Sequence, residues 1–183
     1  MNASKHGLPL LKLALLVEGN AKYIATLEAL DNGKPVSSAL GFVNFSVGIL
    51  RYYARYADKI HGKNLPVDGN TIALTRQEPA GVVAAIVPWN YPFFLSVLKL
   101  APALAAGCTI VLKPAEQTPL SGIYIGNLIR EAGFPPGVVN IIPGYGEAAG
   151  AALSQHPDLR VISFTGSTEV GQLFMKAAAT NIK

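Results

Sequence analysis

The sequence predicts an α/β protein built on a doubly wound parallel sheet, preceded by a helical segment and a short β-hairpin. Three observations carry that expectation. From Gly81 onward, short apolar runs alternate with helical stretches at the pitch that right-handed crossovers between parallel strands require. The first of these runs, Val82 to Val87, is an unbroken set of β-branched and small residues, the pattern of a strand covered on both faces. Ahead of it, residues 1–60 repeat apolar positions at spacings of three and four, the signature of amphipathic helices.

In order, Leu10, Leu13, Ala14 and Val17 mark a first helix. After Glu18-Gly-Asn20 a second runs to Leu30, with Ile24, Leu27 and Leu30 inward. Asp31-Asn-Gly-Lys-Pro35 is a turn. A third helix, Val36 to Ala57, sets Leu40, Val43, Val47 and Leu50 on one face and ends near Tyr52, Tyr53 and Tyr56, an aromatic cluster expected in the core. Residues 61–79 change texture, with Gly, Pro, Asp and Asn separating short runs. They predict a hairpin of Gly62 to Val67 and Thr71 to Glu78 around Asp68-Gly69. A two-stranded ribbon is hardly stable alone, so this one is expected to pair with something outside itself.

Residues 80–183 hold the alternating part. Pro88 and Pro92 close the first strand and leave Trp89, Asn90 and Tyr91 displayed at its carboxyl end, the edge where ligands bind in open α/β sheets. A helix from Phe93 to Ala106 carries Leu95, Leu98, Ala101, Pro102 and Leu104 and stops at Gly107. The strand Thr109 to Leu112 then delivers Lys113 and Glu116 to the same edge. A helix over Pro119 to Ala132, a strand over Val138 to Ile142, a helix over Glu147 to Leu153, a strand over Arg160 to Phe164 and a helix over Ser167 to Ala179 complete the pattern.

Composition removes several function classes. A chain of 183 residues, half of them apolar and 14% charged, has material for one sizeable core and little tendency to disorder. The net charge of +4 is scattered, without a basic run or interleaved aromatics, and gives no reason to expect nucleic acid. One cysteine leaves no disulfide framework and suits a reducing compartment. Lys5 and His6 precede the apolar run Leu8 to Val17, but Lys12 interrupts it and no small-residue cleavage site follows, so a signal peptide is not expected. No run reaches the ~18 apolar residues of a membrane span. His6, His61 and His156 lie far apart without ligand spacing, so no metal is expected. The sequons Asn2-Ala-Ser4 and Asn44-Phe-Ser46 are expected to be chance matches.

Two glycine-rich turns compete for a phosphate. Gly144-Tyr-Gly146-Glu-Ala-Ala149 satisfies the G-x-G-x-x-A dinucleotide fingerprint, yet no acidic residue follows about 20 positions later at a strand end. In Phe164-Thr-Gly-Ser-Thr-Glu-Val-Gly171, Gly166 allows a tight turn and Ser167 and Thr168 open a helix whose free N–H groups suit a phosphate. An ordinary Ser N-cap is the competing reading. Lys113 and Glu116 read either as a solvated pair or as partners for ribose hydroxyls, the carboxylate repelling a 2′-phosphate. Asn90 by itself reads as a turn-former.

Four segments, Val87-Pro-Trp-Asn-Tyr-Pro92, Leu112-Lys-Pro-Ala-Glu-Gln-Thr-Pro119, Glu131-Ala-Gly-Phe-Pro-Pro-Gly-Val-Val-Asn140 and Phe164 to Gly171, together resemble the aldehyde dehydrogenase superfamily, in particular its broad-specificity NAD-dependent branch. The resemblance runs from about Leu10 to Lys183. It implies an incomplete Rossmann-like NAD-binding domain, to which residues 1–60 add a helical part and residues 61–79 an arm that joins subunits. It also implies a small aldehyde as substrate, NAD rather than NADP, a full-length homodimer or homotetramer, and a cytoplasmic or mitochondrial location.

The same resemblance implies cofactor contacts at Ile86, Val87, Pro88, Trp89 and Asn90. Others fall at Lys113, Pro114, Ala115 and Glu116 and at Gly146, Glu147 and Gly150 near the adenine. Phe164, Gly166, Ser167 and Val170 complete the set, with the pyrophosphate beside Ser167 and Trp89. It makes Asn90 the donor to the substrate oxyanion, a role whose loss typically costs ~2.7 to 4 kcal/mol of transition-state stabilisation. Lys99 matches a lysine near the general base. Tyr91, Phe94, Leu95 and Leu98 match the aldehyde tunnel, where relatives often have an aromatic at the place of Leu98.

Aldehyde oxidation of this kind needs a thiolate, a hydride acceptor and a base that activates water. The single cysteine, Cys108, sits in the apolar segment Ala105-Ala-Gly-Cys-Thr-Ile-Val111 and is expected to be inert. In the resembled family the nucleophile and base follow the Phe-Thr-Gly-Ser segment, so the sequence is expected to supply the cofactor half without the catalytic domain. The alternative is a non-catalytic module that binds nucleotide or a full-length partner.

Overall fold

The computed structural model describes residues 4–179, and the Asn2 sequon begins outside them. Three helices open the chain: α1 (Ser4–Gly19), α2 (Ala21–Asn32) and α3 (Val36–Tyr56). Leu10, Leu13, Ala14 and Val17 of α1 are fully buried, as their spacing predicts. Each large apolar side chain hidden this way contributes about 1.5–3 kcal/mol. Gly33 ends α2 in the left-handed region, at φ 79°, and its N–H closes on the Ala29 carbonyl.

Two inward assignments are corrected. Leu30 is 80% exposed, because the buried stripe of α2 runs through Ala21, Ile24, Ala25 and Glu28, and Leu27 is only half-buried. That stripe is complete at i, i+3, i+4 and i+7 before Leu30 is reached. Tyr52 and Tyr56 are likewise outside the core, stacked on each other at 5.8 Å, since the inward stripe of α3 passes from Leu50 to Tyr53 and Ala57.

The hairpin is present but short. β1 (Asn64–Leu65) and β2 (Ala73–Leu74) pair antiparallel, Asn64 with Leu74 and Leu65 with Ala73. Leu65, Ile72 and Leu74 are all exposed, so among the described residues nothing covers the ribbon.

The sheet comprises β3 (Val82–Ile86), β4 (Thr109–Lys113), β5 (Val139–Ile141) and β6 (Leu159–Phe164), all parallel, in the order β5-β4-β3-β6. Between them lie α4 (Pro92–Ala105), α5 (Leu120–Ala132) and α6 (Ala151–Gln155), with α7 (Thr168–Ala178) last. Pro92 at the first turn of α4 fits there because its missing N–H has no helical partner in any case. The alternation of side chains along β3 divides the core. Val83, Ala85 and Val87 join α4, α5 and the three opening helices, whereas Ala84 and Ile86 join Leu153, Leu159 and Phe174 on the opposite face. Helices therefore cover both faces, and the predicted doubly wound sheet is observed.

The strand order fixes where a crevice can form. The chain steps from β3 to β4 to β5 in one direction, then crosses back to place β6 on the other side of β3. The segments leaving β3 and β6 diverge to opposite faces, which opens a gap at their carboxyl ends.

Candidate functional site

Three strand ends meet at this gap. In register, Ile86 of β3 lies between Lys113 of β4 and Phe164 of β6. Ile86, Val87 and Ala115 are buried, so only their peptide groups can face a ligand. Of these, the Ile86 carbonyl already accepts from the Thr165 N–H, and the Val87 N–H donates to the Lys113 carbonyl.

Lys113 is buried, which sets aside the solvated-pair reading for it. Its ammonium donates to Glu116 Oε2 at 3.0 Å and to the Pro114 carbonyl at 3.2 Å, so one of its three N–H donors is left over. The Glu116 carboxylate is partly open and also accepts from Gln117. A backbone N–H bond, together with the Lys113 ammonium, holds its pKa below the ordinary carboxyl value against a smaller opposing effect of burial.

Across the gap, the turn after β6 is built around Phe164. A side chain on Gly166 would collide with the Phe164 ring, which also lies 4.9 Å from the ring of Phe174. The ring thus supports the turn from beneath. Ser167 follows as the N-cap of α7, accepting from the Val170 N–H at 3.3 Å. The next N–H groups, of Thr168 and Glu169, have no partner within the helix. Val170 and Gly166 are exposed beside them.

The predicted helix over Glu147 to Leu153 begins instead as a widened π-turn at Gly146–Gly150 before α6. Gly146 and Glu147 are exposed, while Gly150 is buried with the Lys113 aliphatic chain alongside it. This turn and the Lys113 pair therefore converge on one end of the sheet.

The turn after β3 presents Trp89, 57% exposed, and Asn90, whose side-chain amide is exposed, behind a half-buried Pro88. Its backbone is anchored from α2 and α5. The Trp89 carbonyl accepts from Asn32 Nδ2 and from Thr118 Oγ1, and the Asn90 carbonyl accepts from Lys34 Nζ at 2.8 Å. Below it, the buried Glu28 carboxylate accepts from the Phe93 N–H and the Ser121 hydroxyl and pairs with Lys34. None of these supporting residues was singled out from the sequence. Apart from the Lys34–Glu28 pair, six positions apart, they lie 29 to 93 positions from their partners, beyond the reach of any local pattern.

Lys99 reaches from α4 to Ser163 of β6, donating to its hydroxyl at 3.0 Å. Burial favours its neutral form and lowers its pKa below the ordinary lysine value. Tyr91 and Phe94 form an aromatic group with Phe42 of α3, at ring distances of 4.5 and 5.4 Å, and Phe45 lies 5.7 Å from Phe94. Leu95 is half-buried and Leu98 exposed along the same helix. Phe42, Phe45 and Ile49 repeat at i, i+3 and i+7, a signal that was available beside the core stripe of α3. Cys108 stands apart, buried just before β4, at the opposite edge of the sheet from Lys113. Among the described residues no cluster of three His, Cys, Asp or Glu could hold a metal, and no helix is long and apolar enough to cross a membrane.

Comparison with known proteins gives a consistent result. The aldehyde dehydrogenase family model matches residues 1–183. An aldehyde dehydrogenase of Enchytraeus buchholzi is 56% identical over 184 residues, covering 100% of this chain and 37% of its own length. Aldehyde dehydrogenase 1A1 of Gallus gallus is 55% identical, with 36% of its length covered. Among solved structures, an NAD+ complex of an aldehyde dehydrogenase from Bacillus cereus superposes with a TM-score of 0.97 at 48% identity, over 100% of this chain and 38% of that one. The PnpE complex with nicotinamide adenine dinucleotide matches with the same TM-score at 46% identity. The chain spans a little over a third of the length of these relatives.

Proposed function

The chain belongs to the aldehyde dehydrogenase family, and from that premise we propose that it forms the cofactor-holding part of an enzyme that oxidises small aldehydes to carboxylic acids with NAD. The observation that carries this reading is the Lys113–Glu116 pair at the carboxyl end of β4, one strand from the topological switch point and across β3 from the amino terminus of α7. The donors fit a dinucleotide. Lys113 keeps an unused N–H, Glu116 keeps an open carboxylate, and the α7 terminus offers peptide N–H groups to a phosphate.

NAD, when bound, supplies the acceptor for the aldehyde's hydride. Lys113 and Glu116 bind ribose hydroxyls, and the carboxylate disfavours the extra phosphate of NADP. Ser167 and the first peptide groups of α7 hold the pyrophosphate against Trp89, with Pro88, Pro114, Gly166 and Val170 forming the walls. Gly146, Glu147 and Gly150 flank the adenine, where the lack of side chains at the two glycines leaves room for a flat ring. The Asn90 amide donates to the carbonyl oxygen as it gains negative charge. Tyr91, Phe94, Leu95 and Leu98 form the apolar approach for the aldehyde, and Lys99, its charge weakened by burial, lies beside that approach.

Cys108 is not the nucleophile in this reading. It precedes the five residues of β4 whose far end is Lys113, which puts it roughly 16 Å from the site along the strand. The thiolate and the general base come from residues outside these 183. The exposed hairpin joins subunits of a homo-oligomer.

Energy transfer from Trp89, the only tryptophan, to bound NADH tests the proposal. Saturable transfer that NAD abolishes and NADP displaces more weakly is the expected result. A folded chain that shows no transfer at saturating NADH contradicts it.

A further inference from the structure

We infer that Glu28 of α2 and Lys34, in the turn just after it, are positioning residues that hold the Trp89–Asn90 turn in the orientation its chemistry requires. The carboxylate of Glu28 is almost wholly buried, and three partners use it: the Phe93 N–H at 3.2 Å, the Ser121 hydroxyl, and Lys34 Nζ at 3.4 Å. Phe93 opens α4 and Ser121 opens α5, so one carboxylate ties together the helices that follow β3 and β4, at the ends where a negative charge is favourable.

Lys34 carries this anchor to the turn. Its ammonium, itself nearly buried, donates to the Asn90 carbonyl at 2.8 Å and lies 4.3 Å from the centre of the Tyr91 ring. With Asn32 and Thr118 both donating to the Trp89 carbonyl, the two peptide oxygens at the tip are engaged by the end of α2, the turn after it and the turn before α5. The Asn90 side-chain amide is left unbonded within the described residues and open to solvent. A buried ion pair adds little net stability compared with an apolar pair of the same size. What this one supplies instead is a fixed peptide orientation at the tip. The inference rests on the reading of Asn90 as the donor to the substrate oxygen, and its test reads the turn alone.

The test uses the 183-residue chain and the time-resolved anisotropy of Trp89, which sits in the turn, alongside the far-UV helix signal. Lys34→Met and Glu28→Gln are each expected to raise the amplitude of the sub-nanosecond component about twofold at unchanged helix content. Lys34→Arg, which keeps a cationic donor over Tyr91, is expected to stay at the wild-type amplitude. Unchanged anisotropy in Lys34→Met with its helices intact overturns the inference. So does loss of helix content in both Lys34→Met and Glu28→Gln, because the pair then serves the fold as a whole. Failure of the wild-type chain to bind NADH, with the anisotropy changes present, removes the cofactor reading and leaves the turn's anchoring in place.

Discussion

Lys113 and Glu116 form an ion pair at 3.0 Å in which the lysine side chain is buried and the glutamate is about one-third open. That asymmetry decides what each can do. The ammonium is fixed in place, and the carboxylate faces whatever enters the crevice.

Replacing Glu116 by Gln removes a charge-assisted partner, which typically contributes about 1.5–3 kcal/mol. Roughly tenfold or greater weakening of NAD binding is expected, with a smaller loss for NADP because the repulsion of its extra phosphate is also removed. Parallel titrations with the two nucleotides check both directions.

The pH dependence follows from the sign of the Glu116 shift. Its folded pKa is depressed below the ordinary 4.5, chiefly by a backbone hydrogen bond. The stability this lends is fully present above 4.5 and is lost as pH falls from there through the folded value. The melting temperature of wild type minus that of Glu116→Gln should be constant from neutral pH down to that point and shrink below it. A difference that shrinks well above 4.5 contradicts the assignment.

The order of strands and helices was legible in the sequence because each element carries its own period and its own stop signal. The placement of Lys113, Glu116 and Ser167 at strand ends was legible too, since Lys113 ends β4 and the other two follow strands by three residues. The support of the turn was not. Glu28 reads as one more charge on a helix, and only the fold brings it against Phe93 and Ser121. Leu30 shows the converse limit: periodicity finds a stripe but does not say where along a helix that stripe ceases to meet a neighbour.

Lys99 gives an alkaline counterpart. Burial lowers its pKa below the ordinary 10.5, so below that value the unfolded chain binds more protons than the folded one. Stability therefore gains with rising pH through the window between the folded value and 10.5. Melting curves should show this gain in the wild type relative to Lys99→Met, and equal pH slopes for the two contradict it.

Gly166→Ala places a methyl group against the Phe164 ring. Overpacking of this kind costs about 1–3 kcal/mol, and here it also displaces the start of α7. Urea unfolding should register the lost stability, and NADH binding should weaken in the same variant.

The most direct measurement of the central claim is calorimetric titration of NAD into the 183-residue chain, with Lys113→Ala and Ser167→Ala alongside. The expected result is one saturable site in the wild type, weakened in each variant, since the two residues lie on opposite sides of the same crevice. Binding that is identical in all three proteins, or no binding by a wild-type chain with intact helices, would contradict the placement of the cofactor across the carboxyl ends of β4, β3 and β6.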